Sequence, residues 1–88
     1  MEFTFQKLEA CFKSALNDGV EYVGVLIEME GFDEPEIIIN HRMNISDKLD
    51  YYGKTYDVNL NHKFANGIRI VGFTYGDSFA DIQHDLIG

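Results

Sequence analysis

The chain has 88 residues, of which 45% are apolar, and its formal net charge is −8 at pH 7. This length and apolar content predict one compact domain over residues 1–88 and exclude a disordered chain. The negative charge opposes binding to DNA, RNA or anionic phospholipid, so we expect neither a direct nucleic-acid partner nor a membrane partner.

The cellular compartment follows from the cysteine content and the apolar runs. Cys11 is the single cysteine and has no partner for an intramolecular disulfide. Residues 1–3 lack the basic start and apolar stretch of a signal peptide. The longest apolar run, residues 23–27, is far shorter than the roughly 20 residues of a membrane-spanning helix. We therefore expect a protein of a reducing, intracellular compartment such as the cytoplasm.

The first half of the chain predicts a helix followed by a β-hairpin. Apolar residues recur at helical spacing over residues 5–16, with Thr4 as N-cap and Gly19 at the left-handed stop. Residues 20–30 alternate between two faces, and residues 36–40 form the returning strand. The connection between the two strands is short, so they should pair in antiparallel fashion.

The second half predicts a helix, a strand and a last helix. Helical spacing returns over residues 45–56, with Asn44 or Ser46 as its cap. Residues 68–75 form a third strand, and Asp77 or Ser78 caps the last helix. The stripe of that helix consists of Phe79, Ile82 and Leu86.

These elements predict an α+β fold, a small three-stranded sheet with helices packed on it in the order α-β-β-α-β-α. The link from the second strand to the third is long enough for a right-handed parallel crossover. Both sheet faces carry apolar residues, so either the three helices are shared between the faces or one face meets a second copy in a homodimer. The two predicted groups are Tyr22, Leu26, Ile38, Val71 and Phe73 against Val25, Ile27, Ile37, Ile39 and Ile70.

The carboxylates are distributed unevenly. No lysine or arginine lies between Lys13 and Arg42, and none follows Arg69. Two acidic groups result, one at the hairpin and one at intervals of four residues on the last helix. The predicted binding residues are Glu28, Glu30, Asp33, Glu34 and Glu36 on the hairpin, and Asp77, Asp81 and Asp85 on the helix.

The helical carboxylates would stand about 6 Å apart, a spacing similar to that of phosphates along a DNA strand. An acidic surface of this kind can imitate nucleic acid to a protein that binds nucleic acid. The alternative is that the charges only keep a small protein soluble.

An enzymatic interpretation rests on Ser78. The segment from Gly76 to Ser78 resembles the nucleophile block of the lipase-like GDS hydrolases, and Asp81 with His84 matches their Asp-x-x-His spacing. However, His84 lies about 9 Å along the same helix from Ser78, too far for a nucleophile and base. We favour Ser78 as a helix cap and predict no catalytic residues.

We predict no cofactor and no metal centre. His41, His62 and His84 do not have the spacing of metal ligands, and the acidic hairpin lacks the ligand pattern of an EF-hand loop. A weak divalent-ion site at the hairpin stays open as an alternative. Phe32, Tyr51 and Tyr75 would serve either as aromatic anchors for a partner or as partly covered core edges, whereas Tyr52 and Tyr56 belong to the core.

Residues 36–40, 48–52 and 68–77 together resemble small uncharacterised proteins of phages and prophages in Gram-positive bacteria. The resemblance implies an intracellular accessory protein. In size and charge the chain also resembles acidic anti-CRISPR and anti-restriction inhibitors, which act by occupying a host protein.

The sequence therefore leads to three hypotheses. The first is a non-enzymatic module that binds a host nucleic-acid-handling protein through its acidic surface. The second is a structural or assembly component that self-associates through a sheet face. The third, which the sequence supports least, is a small hydrolase using Ser78.

Overall fold

A computed structural model describes residues 3–88; Met1 and Glu2, on which part of the signal-peptide prediction rests, lie outside the described residues. A short 3₁₀ turn, Arg42–Asn44, joins the second strand to the second helix. The predicted order α-β-β-α-β-α is confirmed. The elements are α1 (Phe5–Asp18), β1 (Tyr22–Met29), β2 (Glu36–His41), α2 (Ile45–Thr55), β3 (Ile68–Gly76) and α3 (Phe79–Ile87).

The sheet has the strand order β2-β1-β3, and β1 is antiparallel to both neighbours. As a result β2 and β3 run in the same direction, as the predicted crossover requires, but β1 lies between them. Tyr22 aligns with His41 and Gly76 at one end of the sheet, which we call the Tyr22 end. The β1–β2 turn lies at the opposite end, which we call the hairpin end.

Helices α1 and α2 pack on one face of the sheet and form the main core with it. The rings of Phe12 and Tyr52 meet edge to face with centroids 5.9 Å apart. Both predicted core tyrosines, Tyr52 and Tyr56, are buried, as expected. The residues of this core with no exposed surface are Leu8, Phe12, Ala15, Val23, Val25, Ile45 and Leu60.

Helix α3 covers the other face and approaches it closely because two strand positions there are glycine. A Cβ atom on Gly24 would clash with the Ile82 side chain, and one on Gly72 would lie 3.3 Å from Leu86 Cδ2. Ile82 is fully buried. The three helices are thus shared between the two faces, as the first of the two predicted alternatives states.

The predicted grouping of residues on the two faces is wrong for four positions. Ile38 and Phe73 both align with Val25 and so share its face, whereas Ile37 and Ile39 lie on the opposite face. A bulge between Leu26 and Ile27 shifts the register against β3. Side chains alternate with a period of two, so a one-residue difference at a turn or bulge reverses every assignment beyond it.

The predicted caps explain where two helices begin and where one ends. Thr4 Oγ1 accepts a hydrogen bond from the first turn of α1 at 3.3 Å, and Gly19 ends α1 with a φ of 71°. Ser78 Oγ accepts from Asp81 N at 3.1 Å at the start of α3. Asn44 occupies the cap position of α2 without a side-chain cap hydrogen bond.

The loop between α2 and β3 covers part of the outer edge of β3. His62 N donates to Ile68 O and Ile70 N donates to Leu60 O, both at 2.9 Å. Leu60 is fully buried although its φ is 63°, a strained value for a residue with a side chain. Asp57 Oδ1 holds this turn by accepting from two backbone N–H groups of the loop.

Candidate protein-binding surface

The five hairpin carboxylates are exposed and lie together at the hairpin end of the sheet. Among residues 3–88 the ion pairs are Lys13–Glu9, His41–Glu21 and Lys54–Asp50, so none involves the hairpin. No hydrogen bond from another side chain reaches these carboxylates within that range either. We call this group, Glu28, Glu30, Asp33, Glu34 and Glu36, the acidic hairpin.

The turn that presents the acidic hairpin is built locally. Gly31 has a φ of 89°, a value that glycine adopts without strain, and Phe32 N donates to Met29 O at 3.2 Å. Phe32 is 67% exposed, so an aromatic ring stands among the carboxylates. Such a ring is the kind of anchor that protein interfaces use.

A cleft of about 460 Å³ opens beside the acidic hairpin. Glu28, Glu30, His62, Asn66 and Arg69 contribute to its walls. Arg69 aligns opposite Glu28 across the β1–β3 pair and places one positive charge beside this surface. Sequence reasoning missed this neighbour because only the register of β3, which includes a bulge, brings it there.

The predicted row of three aspartates along the last helix is wrong. Asp77 precedes the N-cap Ser78 and lies outside α3. Its Oδ1 accepts from Glu21 N at 3.1 Å, and Asp85 Oδ2 accepts from Thr74 Oγ1 at 3.3 Å. The extended backbone of Ser78 (φ −146°, ψ 158°) breaks the helical spacing, which leaves only Asp81 and Asp85 on the helix.

Asp77 and the acidic hairpin lie at opposite ends of the sheet. Asp77 follows Gly76, which aligns with Tyr22, so it lies at the Tyr22 end. The acidic hairpin lies at the other end of the same strands. The acidic hairpin and Asp81 are therefore the predicted site residues whose side chains make no hydrogen bond or ion pair among residues 3–88.

Carboxylates at the Tyr22 end are bound within the fold. His41 Nδ1 accepts from Met43 N at 3.2 Å, which places the ring hydrogen on Nε2, and Nε2 lies 3.0 Å from Glu21 Oε2. Tyr75 OH donates to Asp18 Oδ2 at 3.0 Å, and this hydrogen bond raises the pKa of Tyr75.

The remaining candidate side chains are spread over different parts of the molecule. Burial raises the pKa of the Cys11 thiol to about 11, which keeps the thiol neutral. Tyr51 is 48% exposed on α2, with Lys48 Nζ 5.4 Å from its ring centroid. Tyr75 is half-buried, so of the three predicted anchors only Phe32 stands on the acidic hairpin.

Comparisons with known proteins add no relationship. The chain matches no protein-family model, no curated protein and no solved structure. In the described part of the chain, no three His, Cys, Asp or Glu side chains are arranged to hold a metal ion. None of the helices described there is both long enough and apolar enough to cross a membrane.

Proposed function

We propose that this protein is a non-enzymatic binding module that docks its acidic hairpin on a basic surface of another protein. The observation that supports the proposal is the set of five exposed hairpin carboxylates with no ion pair among residues 3–88. An ordinary solvated surface mixes both signs of charge, whereas here five carboxylates around an exposed Phe32 have only Arg69, opposite Glu28, as a basic neighbour across the sheet.

The partner we favour is a host protein that handles nucleic acid. Such a protein carries a basic surface shaped for phosphates, which clustered carboxylates can occupy in their place. The resemblance to phage and prophage proteins supports this choice, because it implies an intracellular accessory protein and many such proteins act by occupying a host protein. The module would then act in the bacterial cytoplasm as an inhibitor of the anti-CRISPR or anti-restriction type.

The hydrogen bonds within the fold indicate which carboxylates would contact the partner. The acidic hairpin would make the main contact. Asp77 and Asp85 already accept hydrogen bonds within the fold, which leaves Asp81 as the exposed carboxylate of α3 without a side-chain hydrogen bond. Attraction between the acidic hairpin and a basic partner would speed association at low salt and weaken as salt rises.

The test is capture of proteins from a Gram-positive bacterial lysate on immobilised protein, with elution in steps of rising salt. The variant Glu30→Gln/Asp33→Asn/Glu34→Gln removes three hairpin charges. The control variant Glu9→Gln/Asp47→Asn/Asp50→Asn removes three charges from α1 and α2 and has the same net charge. The hairpin variant should lose a salt-sensitive basic protein that the wild type and the control retain.

The captured protein should also release a labelled DNA or RNA fragment when the wild-type module is added. Retention of the same protein by all three forms would contradict the proposal, and so would equal loss in both variants. Net charge alone, and not the position of the hairpin, would then explain the binding.

A further inference from the structure

The outer edge of β2 carries backbone groups that the fold leaves unpaired. Arg42 N donates to Glu21 O at 2.7 Å just beyond the register pair Tyr22–His41. Inward and outward groups alternate along an antiparallel strand, so Glu36, Ile38 and Asn40 bond to β1.

The other side of the ladder confirms this alternation. Glu30 N donates to Gly67 O at 2.7 Å, so the even-numbered residues of β1 face β3 and the odd-numbered residues face β2. Ile37, Ile39 and His41 therefore direct their N–H and C=O groups away from the sheet. None of these groups has a backbone partner among residues 3–88.

This edge differs from the other edge of the sheet. Residues Leu60 and His62 cover the start of β3, whereas no loop of the described chain pairs with β2. Natural proteins commonly protect an open edge with lysine, proline or a bulge. β2 contains no lysine or proline, its pairing with β1 is regular, and it has three consecutive isoleucines.

We propose that the outer edge of β2 pairs with β2 of a second copy of this chain, in antiparallel fashion about a two-fold axis at Ile39. In this register the outward groups of Ile39 meet those of its own counterpart, and Ile37 meets His41 of the second copy. The two three-stranded sheets then join into one six-stranded sheet.

Charge complementarity selects this register over its neighbours. With the axis at Ile39, Glu36 lies opposite Arg42 of the second copy, and the pair occurs twice in the dimer. Both residues are exposed and have no ion pair within residues 3–88. Moving the axis elsewhere within β2 places Glu36 opposite a residue that is not basic. Glu36 also belongs to the acidic hairpin, but the capture variant of the proposed function leaves Glu36 unchanged, so the two proposals can fail separately.

The test begins with sedimentation of the wild type from about 10 µM to about 1 mM, where the mass should rise towards twice the 10.1 kDa of one chain. Glu36→Arg and Arg42→Glu should each weaken association about ten-fold, because each places two like-charged pairs in the dimer. An equimolar mixture of the two variants should restore association, since the heterodimer again pairs opposite charges.

Two further variants separate this register from general effects of charge. Glu34→Arg raises the net charge by as much as Glu36→Arg does but faces no acidic or basic residue in the dimer, so it should not weaken association. Ile39→Pro removes an outward N–H that β1 does not use, so it should abolish the dimer while circular dichroism of the monomer is retained.

Several results would overturn the proposal. The first is that the wild type stays monomeric throughout the concentration range. The second is that the Ile39→Pro variant still forms the dimer. The third is that the mixture of the two charge variants associates no better than either variant alone. The mixing experiment decides the register even if the proline variant fails to fold.

Discussion

The two ends of the sheet use their carboxylates differently. At the Tyr22 end, Asp77 accepts a hydrogen bond from the backbone N–H of Glu21, and Asp18 accepts a hydrogen bond from the side-chain hydroxyl of Tyr75. At the hairpin end, five exposed carboxylates have no ion pair among the described residues. Carboxylates at the Tyr22 end therefore stabilise the fold through hydrogen bonds. Within the described part of the chain, the carboxylates at the hairpin end make no contact that would give them a structural role.

The largest expected effect is a slow reaction of the Cys11 thiol, which measures how well α1 is packed against the sheet. The pKa of Tyr75, at the Tyr22 end, is raised first by its hydrogen bond to Asp18 and least by the Cys11 thiolate. Burial disfavours the thiolate and raises the pKa of Cys11 to about 11. At about pH 8 a disulfide reagent should therefore react roughly 100-fold more slowly with the folded protein than with the protein in urea.

The same burial fixes the sign of a pH effect on stability. Between about pH 9 and 11 the folded state keeps the Cys11 proton that the unfolded state loses, so the free energy of unfolding should fall as pH rises. Cys11→Ala should reduce this fall. Equal reaction rates in the folded and unfolded protein would show that α1 does not protect the thiol.

The next largest effect is a difference in the free energy of unfolding between two variants, each of which removes one carboxylate from one end of the sheet. Asp77→Ala should lower the free energy of unfolding by about 1 kcal/mol, because Glu21 N loses its acceptor. Glu34→Ala, at an exposed hairpin position, should change it by less than about 0.5 kcal/mol. Urea denaturation of the two variants measures both values.

Asp77→Asn is the matched control, since its amide oxygen can still accept the hydrogen bond from Glu21 N. It should retain more stability than Asp77→Ala does. If Glu34→Ala proved as destabilising as Asp77→Ala, the difference between the two ends would disappear.

The sequence predicts most of the elements because the local signals agree with one another. Thr4 and Ser78 precede apolar stripes and cap their helices, and Gly19 supplies the left-handed stop. Long-range register is different. The face of Ile38 depends on the turn between β1 and β2, and the bulge near Leu26 decides which β3 side chains share that face.

The candidate site was predictable only in part for the same reason. The exposure of Glu30, Asp33 and Glu34 follows from their place in the turn between β1 and β2. Nothing in the sequence shows that Asp77 reaches Glu21, which lies 56 residues away in the chain. The 1.5 Å rise that predicted a row of aspartates holds only inside the helix, and Ser78 begins that helix one residue after Asp77.

The smallest expected effect is a rise in the free energy of unfolding at the hairpin end, opposite in sign to the fall expected for Asp77→Ala. Neutralising adjacent charges with Asp33→Asn/Glu34→Gln should relieve repulsion within the acidic hairpin and raise the free energy of unfolding by about 0.3 kcal/mol at low salt. The gain should vanish near 1 M salt, where the Debye length is about 3 Å. Urea denaturation at both salt concentrations measures it, with Asp77→Asn as the variant expected to bring no such gain. A loss of stability in the hairpin variant would mean that these carboxylates are bound within the fold and are not held free for a partner.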